Sequence, residues 1–173
     1  MSEIEELENE ERDLLDVALE CMKNAHVIWG FEVGAAVLAE DNKLYQGCNV
    51  ESKISGLGIC AERCAIDHAV LHGNKKIKKI GILIDAKKAK KPAPCGACLQ
   101  YIYDFSDGEV TVIMGKVKEW KILPKSIEEK QLKKCCPIVL NLKKDCLKSL
   151  ESFRPKWIAN DFHWIRTQMP HQN

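Results

Sequence analysis

Three cysteines in two short motifs constrain this chain more than any other feature. Cys60 lies two positions before Glu62, and Pro94 is followed by Cys95 and Cys98, which two residues separate. Three thiolates can bind Zn²⁺ and leave its fourth tetrahedral position open to water, whose protons a neighbouring carboxylate can move. The fold therefore has to bring two distant segments to one point, where they would form a hydrolytic zinc centre.

The first motif is expected at the start of a helix. Residues two apart on a regular helix point to nearly opposite faces, so Cys60 and Glu62 can serve one centre only where a helix begins. Gly56 and Gly58 interrupt the chain just before this point. The sequence therefore predicts a helix over 60–72 with Cys60 in its first turn.

The second motif has the spacing of a zinc knuckle, and the sequence predicts a helix over 96–105 that begins within it. Helix N-termini favour thiolates through their free N–H groups and the positive end of the helix dipole. Because three thiolates around a dication leave a net negative charge, a cation nearby would offset part of it. Arg63, adjacent to Glu62, is the candidate for this charge compensation.

Apolar periodicity predicts the other elements, which alternate between helices and strands. The alternation indicates an α/β fold whose sheet is covered on both faces. The predicted elements are a helix over 10–25, a hairpin of strands 33–38 and 44–50, strands 77–84 and 110–114, weaker strands 120–122 and 138–142, and a C-terminal helix with Ile158, Phe162, Ile165 and Met169 in one stripe.

Composition places the chain among reduced, globular proteins. Its 173 residues with 46% hydrophobic content suffice for one core without disulfides. Nine cysteines are an odd number, and the chain opens with an acidic segment that does not resemble a secretory signal. The apolar stretch 27–39 is too short to span a membrane. A cytoplasmic protein with reduced thiols is expected.

The two charged segments are interpreted as solvated surfaces of opposite sign. Acidic residues are concentrated in 1–20 and lysines in 71–91. The lysine run lacks the interleaved aromatic residues of a nucleic-acid surface, so no nucleic-acid partner is expected.

Other residues offer alternative metal ligands. Cys64 lies four positions beyond Cys60 on the same predicted helix and would close a four-thiolate structural site without room for water. His68 and His72 also have metal-compatible spacing. We favour a buried, apolar role for Cys64 and a surface or interface position for the two histidines.

The motifs together resemble the zinc-dependent cytidine deaminases of the three-cysteine, homotetrameric type. The resemblance covers about residues 14–127 and implies a three-layer α/β/α fold with a mixed, roughly five-stranded sheet, Zn²⁺ as cofactor and pyrimidine salvage as setting. Residues 1–130 would form the catalytic domain and 131–173 an extension packed on it. The motifs are Phe31-Glu32-Val33-Gly34-Ala35-Ala36, Gly47-Cys48-Asn49-Val50-Glu51, Cys60-Ala61-Glu62-Arg63 and Pro94-Cys95-Gly96-Ala97-Cys98-Leu99-Gln100.

The resemblance also assigns substrate-binding residues. Asn49 and Glu51 lie two apart on a predicted strand, so they would share one face while Cys48 and Val50 point into the core. By resemblance Asn49 and Glu51 bind ribose hydroxyls and Phe31 lines the nucleoside pocket. Glu62 would then move protons between water, N3 of the pyrimidine and the departing amine, converting cytidine or deoxycytidine to uridine or deoxyuridine.

The chain departs from the family pattern at several positions. Ser52-Lys53-Ile54-Ser55 replaces the usual Asn-Ala-Ser-Tyr, and Glu32 replaces a proline. Ile127 stands where an aromatic ring normally reaches a neighbouring subunit's pyrimidine. The match ends near residue 130, and the aromatic residues beyond it could dock the last helix or form a lid, of which docking is favoured.

Three other functions remain compatible with the sequence. A deaminase of another aminopyrimidine, such as blasticidin S, would use the same metal centre, although it would not need Glu51. A polynucleotide deaminase would use the lysine-rich segment to hold phosphates. A zinc-stabilised interaction module without catalysis would have no need of Glu62 beside an open metal site.

Overall fold

The computed structural model describes residues 9–87, 92–106 and 108–132. No helix within these ranges is long and apolar enough to cross a membrane. The elements are α1 (Asn9–Met22), β1 (Val33–Ala39), β2 (Leu44–Cys48), a 3₁₀ turn (Ser55–Leu57), α2 (Ala61–Leu71), β3 (Ile77–Asp85), α3 (Gly96–Asp104), β4 (Thr111–Lys118) and β5 (Lys121–Gln131).

The strands form one mixed sheet in the order β2-β1-β3-β4-β5. β1 pairs antiparallel with both β2 and β3, and β4 pairs antiparallel with β5. β3 and β4 are parallel, so the connection between them has to cross a face of the sheet, and α3 lies in that connection. The expected α/β fold with a mixed five-stranded sheet is confirmed.

Alternation along the strands divides the core into two layers. On β1, Ala35 and Val37 belong to one buried cluster, whereas Ala36 and Leu38 belong to the other. The first cluster also contains apolar residues of α2 and α3, and the second those of α1. Because neighbouring residues of a strand face opposite sides, the period of two puts α1 on one face and α2 with α3 on the other.

The three helices predicted within the described residues are confirmed, with shifts at their ends. The first helix ends at Met22 and not at residue 25, because the N–H groups of Asn24 and Ala25 bond three residues back in a turn. The weak signal at 120–122 belongs to β5, which continues to Gln131. Its lysines and glutamates interrupt the apolar alternation by which a strand is predicted, as is common for a strand at a sheet edge.

Several predictions fall on parts of the chain that the structure does not describe. The strand predicted over 138–142 and the C-terminal helical stripe lie outside the described residues. So does the extension 131–173, apart from Gln131 and Leu132.

Gly47 allows β2 to approach α2 closely. A Cβ atom at this position would lie 2.2 Å from the backbone nitrogen of Ala65 and 2.6 Å from the carbonyl oxygen of Ala61. Both atoms belong to the helix backbone, which cannot give way as a side chain can. The glycine therefore sets the distance between the strand that leads to Asn49 and the helix that carries Glu62.

We expect Gly47→Ala to lower the free energy of unfolding by about 1–3 kcal/mol or more, because it overpacks a backbone contact. Gly56→Ala is the matched control, since a Cβ there meets nothing within 4 Å. Thermal or urea unfolding of both variants measures the difference. Equal stabilities would contradict the close approach of β2 to α2.

Candidate metal centre

Two helix starts carry the cysteines of the predicted metal centre. Cys60 is the N-cap of α2 with φ −77° and ψ 152°, and Cys95 is the N-cap of α3 with φ −71° and ψ 166°. Neither side chain caps its helix by a hydrogen bond. Their sulfur atoms thus remain available to a metal while the helix N-termini stabilise negative charge on them. The expected position of Cys60 at a helix start is confirmed.

The structure brings the three predicted ligands together. The Sγ atoms of Cys60, Cys95 and Cys98 lie within 4.8 Å of one another, and this is the only group of three or more potential ligands among the described residues. Cys95 and Cys98 sulfurs are 3.4 Å apart. Cys98 is fully buried, Cys60 is half-buried and Cys95 is exposed. The cluster therefore has a buried side and a side open to solvent.

The thiols already differ in their affinity for protons. A hydrogen bond from Cys98, helped by Arg63, lowers the pKa of Cys60 to about 5. The same bond, together with burial, raises the pKa of Cys98. A thiolate that a neighbouring thiol and an arginine stabilise can bind a metal directly. The thiols that are still protonated would release their protons when the metal binds.

The donor set fits Zn²⁺. Three sulfurs at this separation can occupy three corners of a tetrahedron, and no fourth cysteine, histidine or carboxylate of the described residues joins their group. Three protein ligands with an open fourth position are typical of catalytic zinc sites, whereas structural sites use four. The geometry favours a catalytic zinc site over the four-thiolate alternative with Cys64.

Glu62 lies in the first turn of α2 beside the sulfur atoms. Only 6% of its surface is exposed. Burial raises the pKa of this carboxyl above its ordinary value, and the negative charge of Cys60 adds to the effect. A carboxyl whose pKa is raised in this way can hold and release a proton closer to neutral pH than an exposed one.

A cavity of about 450 Å³ opens onto this centre. Cys60, Cys95 and Glu62 lie on its lining, and apolar side chains line other parts of it, among them Phe31, Val33, Ile82 and Ile84. The predicted position of Phe31 beside the pocket agrees with this lining. A mostly apolar pocket with a few polar groups has the composition of a small-molecule site.

Asn49 lines the same cavity while bridging to the start of β1. Its Oδ1 accepts a hydrogen bond from the Val33 N–H at 2.8 Å, and its Nδ2 donates to the Phe31 carbonyl at 2.9 Å. The side chain is 9% exposed. An amide has further donor and acceptor capacity, so each end of Asn49 can make one more bond to a ligand.

Glu51 accepts hydrogen bonds from three consecutive backbone N–H groups. Ile28 and Trp29 each donate to its Oε2 at 2.6 Å, and Gly30 donates to Oε1 at 3.1 Å. The bonds from Trp29 and Ile28 lower the pKa of the carboxyl. Glu51 is therefore ionised at neutral pH and retains acceptor capacity mainly on Oε1.

The expected inward orientation of Val50 is wrong. β2 ends at Cys48, and Val50 makes isolated bridges to His26 and Ile59 with 41% of its surface exposed. The strict alternation of a strand thus stops before the Asn49 to Glu51 segment. Both polar residues nevertheless line the cavity.

Arg63 contacts the centre from the first turn of α2. Its Nη2 lies 3.7 Å from the Cys60 sulfur and donates to the Gly58 carbonyl at 3.4 Å. It is the only cationic residue that lines the cavity among the described residues.

The alternative ligands lie elsewhere. Cys64 does not belong to the sulfur group. His68 and His72 lie on the outer surface of α2, where their Nδ1 atoms are 2.9 Å from the carbonyl oxygens of Gln46 and His68. Both rings also contact the ring of Tyr45. His72 is exposed, as expected of a surface or interface residue, whereas His68 is half-buried against β2.

Ile127 does not reach the cavity of its own chain. It packs on the opposite face of the sheet, against the cluster that contains α1. The only aromatic residues on the cavity lining, within the described ranges, are Phe31 and Trp29.

The sequence analysis missed two features of this site. Trp29 carried no signal, because it lies before the first family-like motif in an irregular segment. The Tyr101 hydroxyl donates to Asp67 Oδ1 at 2.6 Å and links α3 to α2. A pair so distant in sequence has no local pattern by which it could be found.

Comparison with known proteins agrees with this geometry. The model of the family described as "Cytidine and deoxycytidylate deaminase zinc-binding region" matches residues 8–114. A cytidine deaminase of Sporosarcina psychrophila is 40% identical over 88 residues, which cover 51% of this chain and 63% of that protein. One of Halalkalibacterium halodurans is 32% identical over 106 residues, covering 61% and 79%. The chain thus spans less than two thirds of the first relative's length.

A solved structure has the same fold. The crystal structure of cytidine deaminase from Burkholderia pseudomallei superposes with a TM-score of 0.64 at 27% sequence identity. The superposition covers 73% of this chain and 96% of that one. Nearly all of that structure therefore has a counterpart here.

Substitution of single cysteines will distinguish the three-thiolate site from the four-thiolate alternative with Cys64. We expect Cys98→Ser to lose stoichiometric zinc during dialysis against a weak chelator, because it removes a buried thiolate ligand. Cys64→Ser should retain about one zinc per chain under the same conditions. Elemental analysis of the dialysed proteins measures the content, and zinc loss in Cys64→Ser would favour the four-thiolate site.

Proposed function

Because this chain belongs to the cytidine and deoxycytidylate deaminase family, we propose that it catalyses zinc-dependent hydrolysis of cytidine and deoxycytidine to uridine and deoxyuridine with release of ammonia. One observation carries the proposal. A buried carboxyl, Glu62, lies beside three clustered thiols in a cavity that also contains Asn49 and Glu51.

Cys60, Cys95 and Cys98 would hold the zinc ion. When bound there, Zn²⁺ makes water a better acid and supplies a nucleophile at neutral pH. In the overall reaction the C4–N bond of the pyrimidine breaks, a C4–O bond forms from water, and the amino group leaves as ammonia.

Glu62 would carry the protons of this reaction. Its carboxylate would accept one proton from water and pass it to N3 of the ring, and would then accept the second proton from the oxygen now bound at C4 and pass it to the departing amine. Its burial supports this role, because desolvation raises the pKa of the carboxyl and makes it a stronger base than an exposed glutamate. Arg63 would offset the negative charge of the three thiolates.

Asn49 and Glu51 would bind the ribose. Their remaining donor and acceptor capacity matches hydroxyl groups, which both donate and accept. The cavity is unfavourable for a phosphate, because Glu51 and Glu62 are acidic and Arg63 is occupied beside Cys60. The acidic groups on the lining therefore favour a free nucleoside over a polynucleotide.

The proposal extends to the whole protein. We propose a cytoplasmic enzyme of pyrimidine salvage, with residues 1–130 as the catalytic domain and 131–173 as an extension of it. A homotetramer is supported by the likeness to the three-cysteine deaminases and by apolar side chains that a single chain leaves uncovered. Ile54, Leu57 and Leu71 are 65%, 72% and 83% exposed.

Replacing Glu62 by glutamine tests the chemistry. We expect Glu62→Gln to lower kcat for cytidine by about a hundredfold to ten-thousandfold, because an amide cannot relay the protons, while zinc content is unchanged. Ammonia release measures the rate, and elemental analysis measures the metal. Glu20→Gln is the matched control, since its exposed side chain lies on α1, which packs on the other face of the sheet.

The same assay separates the competing substrates. Cytidine, deoxycytidine, cytosine, CMP, blasticidin S and a cytosine-containing oligonucleotide are each incubated with the zinc-loaded protein. The proposal requires turnover of the two nucleosides. It is wrong if they are inert while another compound reacts, or if Glu62→Gln deaminates them at the normal rate.

The assembly is tested independently. Gel filtration with light scattering should give a mass about four times that of the 19.6 kDa chain, because isolated chains would expose large apolar side chains. A stable monomer with full activity would contradict the tetramer and leave the deamination proposal intact.

A further inference from the structure

Trp29 is the most exposed large apolar residue on the cavity lining. Its side chain is 74% exposed, although tryptophan is usually covered in folded proteins. It shares the lining with Glu51, Asn49 and the metal centre. An exposed indole at the edge of a small-molecule cavity is available to cover a ligand.

The backbone of Trp29 is firmly held. Its N–H donates to Glu51 Oε2 at 2.6 Å, between the bonds that Glu51 accepts from Ile28 and Gly30. The Glu51 N–H in turn donates to the His26 carbonyl at 2.8 Å. The segment around Trp29 is thereby tied to the residue that would bind the ribose, which leaves only the indole free.

Gly30 makes this arrangement possible. A Cβ atom at residue 30 would lie 2.4 Å from Glu51 Oε1. The carboxylate can approach the three N–H groups only because residue 30 has no side chain. This close approach couples the position of Trp29 to that of Glu51.

We propose that Trp29 is a substrate-binding residue that covers the sugar end of the bound nucleoside, and that Glu51 is its positioning residue as well as a sugar ligand. The inference rests on the proposed deamination of nucleosides. The reacting C4 has to face Glu62, so the sugar extends toward Glu51 and hence toward Trp29. A large aromatic face beside a sugar supplies apolar contact area that the neighbouring amide of Asn49 and carboxylate of Glu51 do not offer.

Kinetics of two variants test the contact. We expect Trp29→Ala to raise KM for cytidine about tenfold with kcat within about twofold, because contact with the sugar stabilises the ground and transition states alike. Trp29→Phe should recover part of this loss. Trp120→Ala is the control, since Trp120 is 51% exposed in the turn between β4 and β5 and does not line this cavity.

Fluorescence supplies a readout that does not depend on turnover. Uridine, the expected product, is titrated into the wild type, Trp29→Phe and Trp120→Phe. We expect the uridine-dependent change in tryptophan emission to be lost in Trp29→Phe and retained in Trp120→Phe. Persistence of the full change in Trp29→Phe would count against the contact.

Gly30→Ala tests the positioning role of Glu51. The added methyl group meets the flexible end of the Glu51 side chain, so the carboxylate should move without unfolding the protein. We expect KM for cytidine to rise at least as much as in Trp29→Ala, with unchanged zinc content and a cooperative unfolding transition. A wild-type KM in Gly30→Ala would show that Glu51 does not position this segment.

The outcomes distinguish this inference from the function on which it rests. If wild-type protein deaminates none of the nucleosides, the proposed function fails. If it deaminates them and Trp29→Ala has the KM of the wild type, only the role of Trp29 fails. If Trp29→Ala changes the mass measured by light scattering but not KM, Trp29 belongs to a subunit interface and the inference is overturned.

Discussion

The meeting of two helix N-termini on one face of the sheet is the constraint on which the site depends. Cys60 and Cys95 are N-caps whose sulfur atoms lie within 4.8 Å of each other and of Cys98. α3 lies in the crossover between parallel β3 and β4. The absence of a side chain at Gly47 lets α2 approach β2 closely. The bond from Tyr101 to Asp67 then joins the two helices directly. The sheet therefore sets the positions of the two helix starts, and with them the spacing of the three sulfur atoms that a metal requires.

The metal centre was predictable because its information is local. A cysteine can share a centre with a glutamate two residues later only where a helix begins, and Cys60 lies at the N-terminus of α2. The pair Cys95 and Cys98 carries its spacing in the sequence. The family resemblance then supplied the mixed, roughly five-stranded sheet, which periodicity alone could not, since β5 is an edge strand whose charges hide its alternation.

The mouth of the cavity was less predictable because its contacts are made by irregular backbone. The expected alternation beyond Cys48 fails at Val50, and residues 49–51 are held by bonds to the segment before β1. Three N–H groups meeting one carboxylate is a tertiary arrangement for which Glu51 gives no local sign. Because the arrangement is tertiary, no sequence pattern predicted a role for Trp29 in this site.

Asn49 and Glu51 each make hydrogen bonds within the protein and retain capacity for bonds to a ligand. One physical requirement explains both properties. A residue that binds a hydroxyl group selectively has to be held rigidly, and a buried polar side chain is held by satisfying part of its own hydrogen-bonding capacity. Asn49 uses one donor and one acceptor on Phe31 and Val33, and Glu51 uses most of Oε2 on the segment that carries Trp29. The capacity that remains is then directed at the cavity. Because the same bonds fix the backbone at Phe31 and Trp29, the two polar side chains and the two aromatic residues of the cavity lining are held together as one unit.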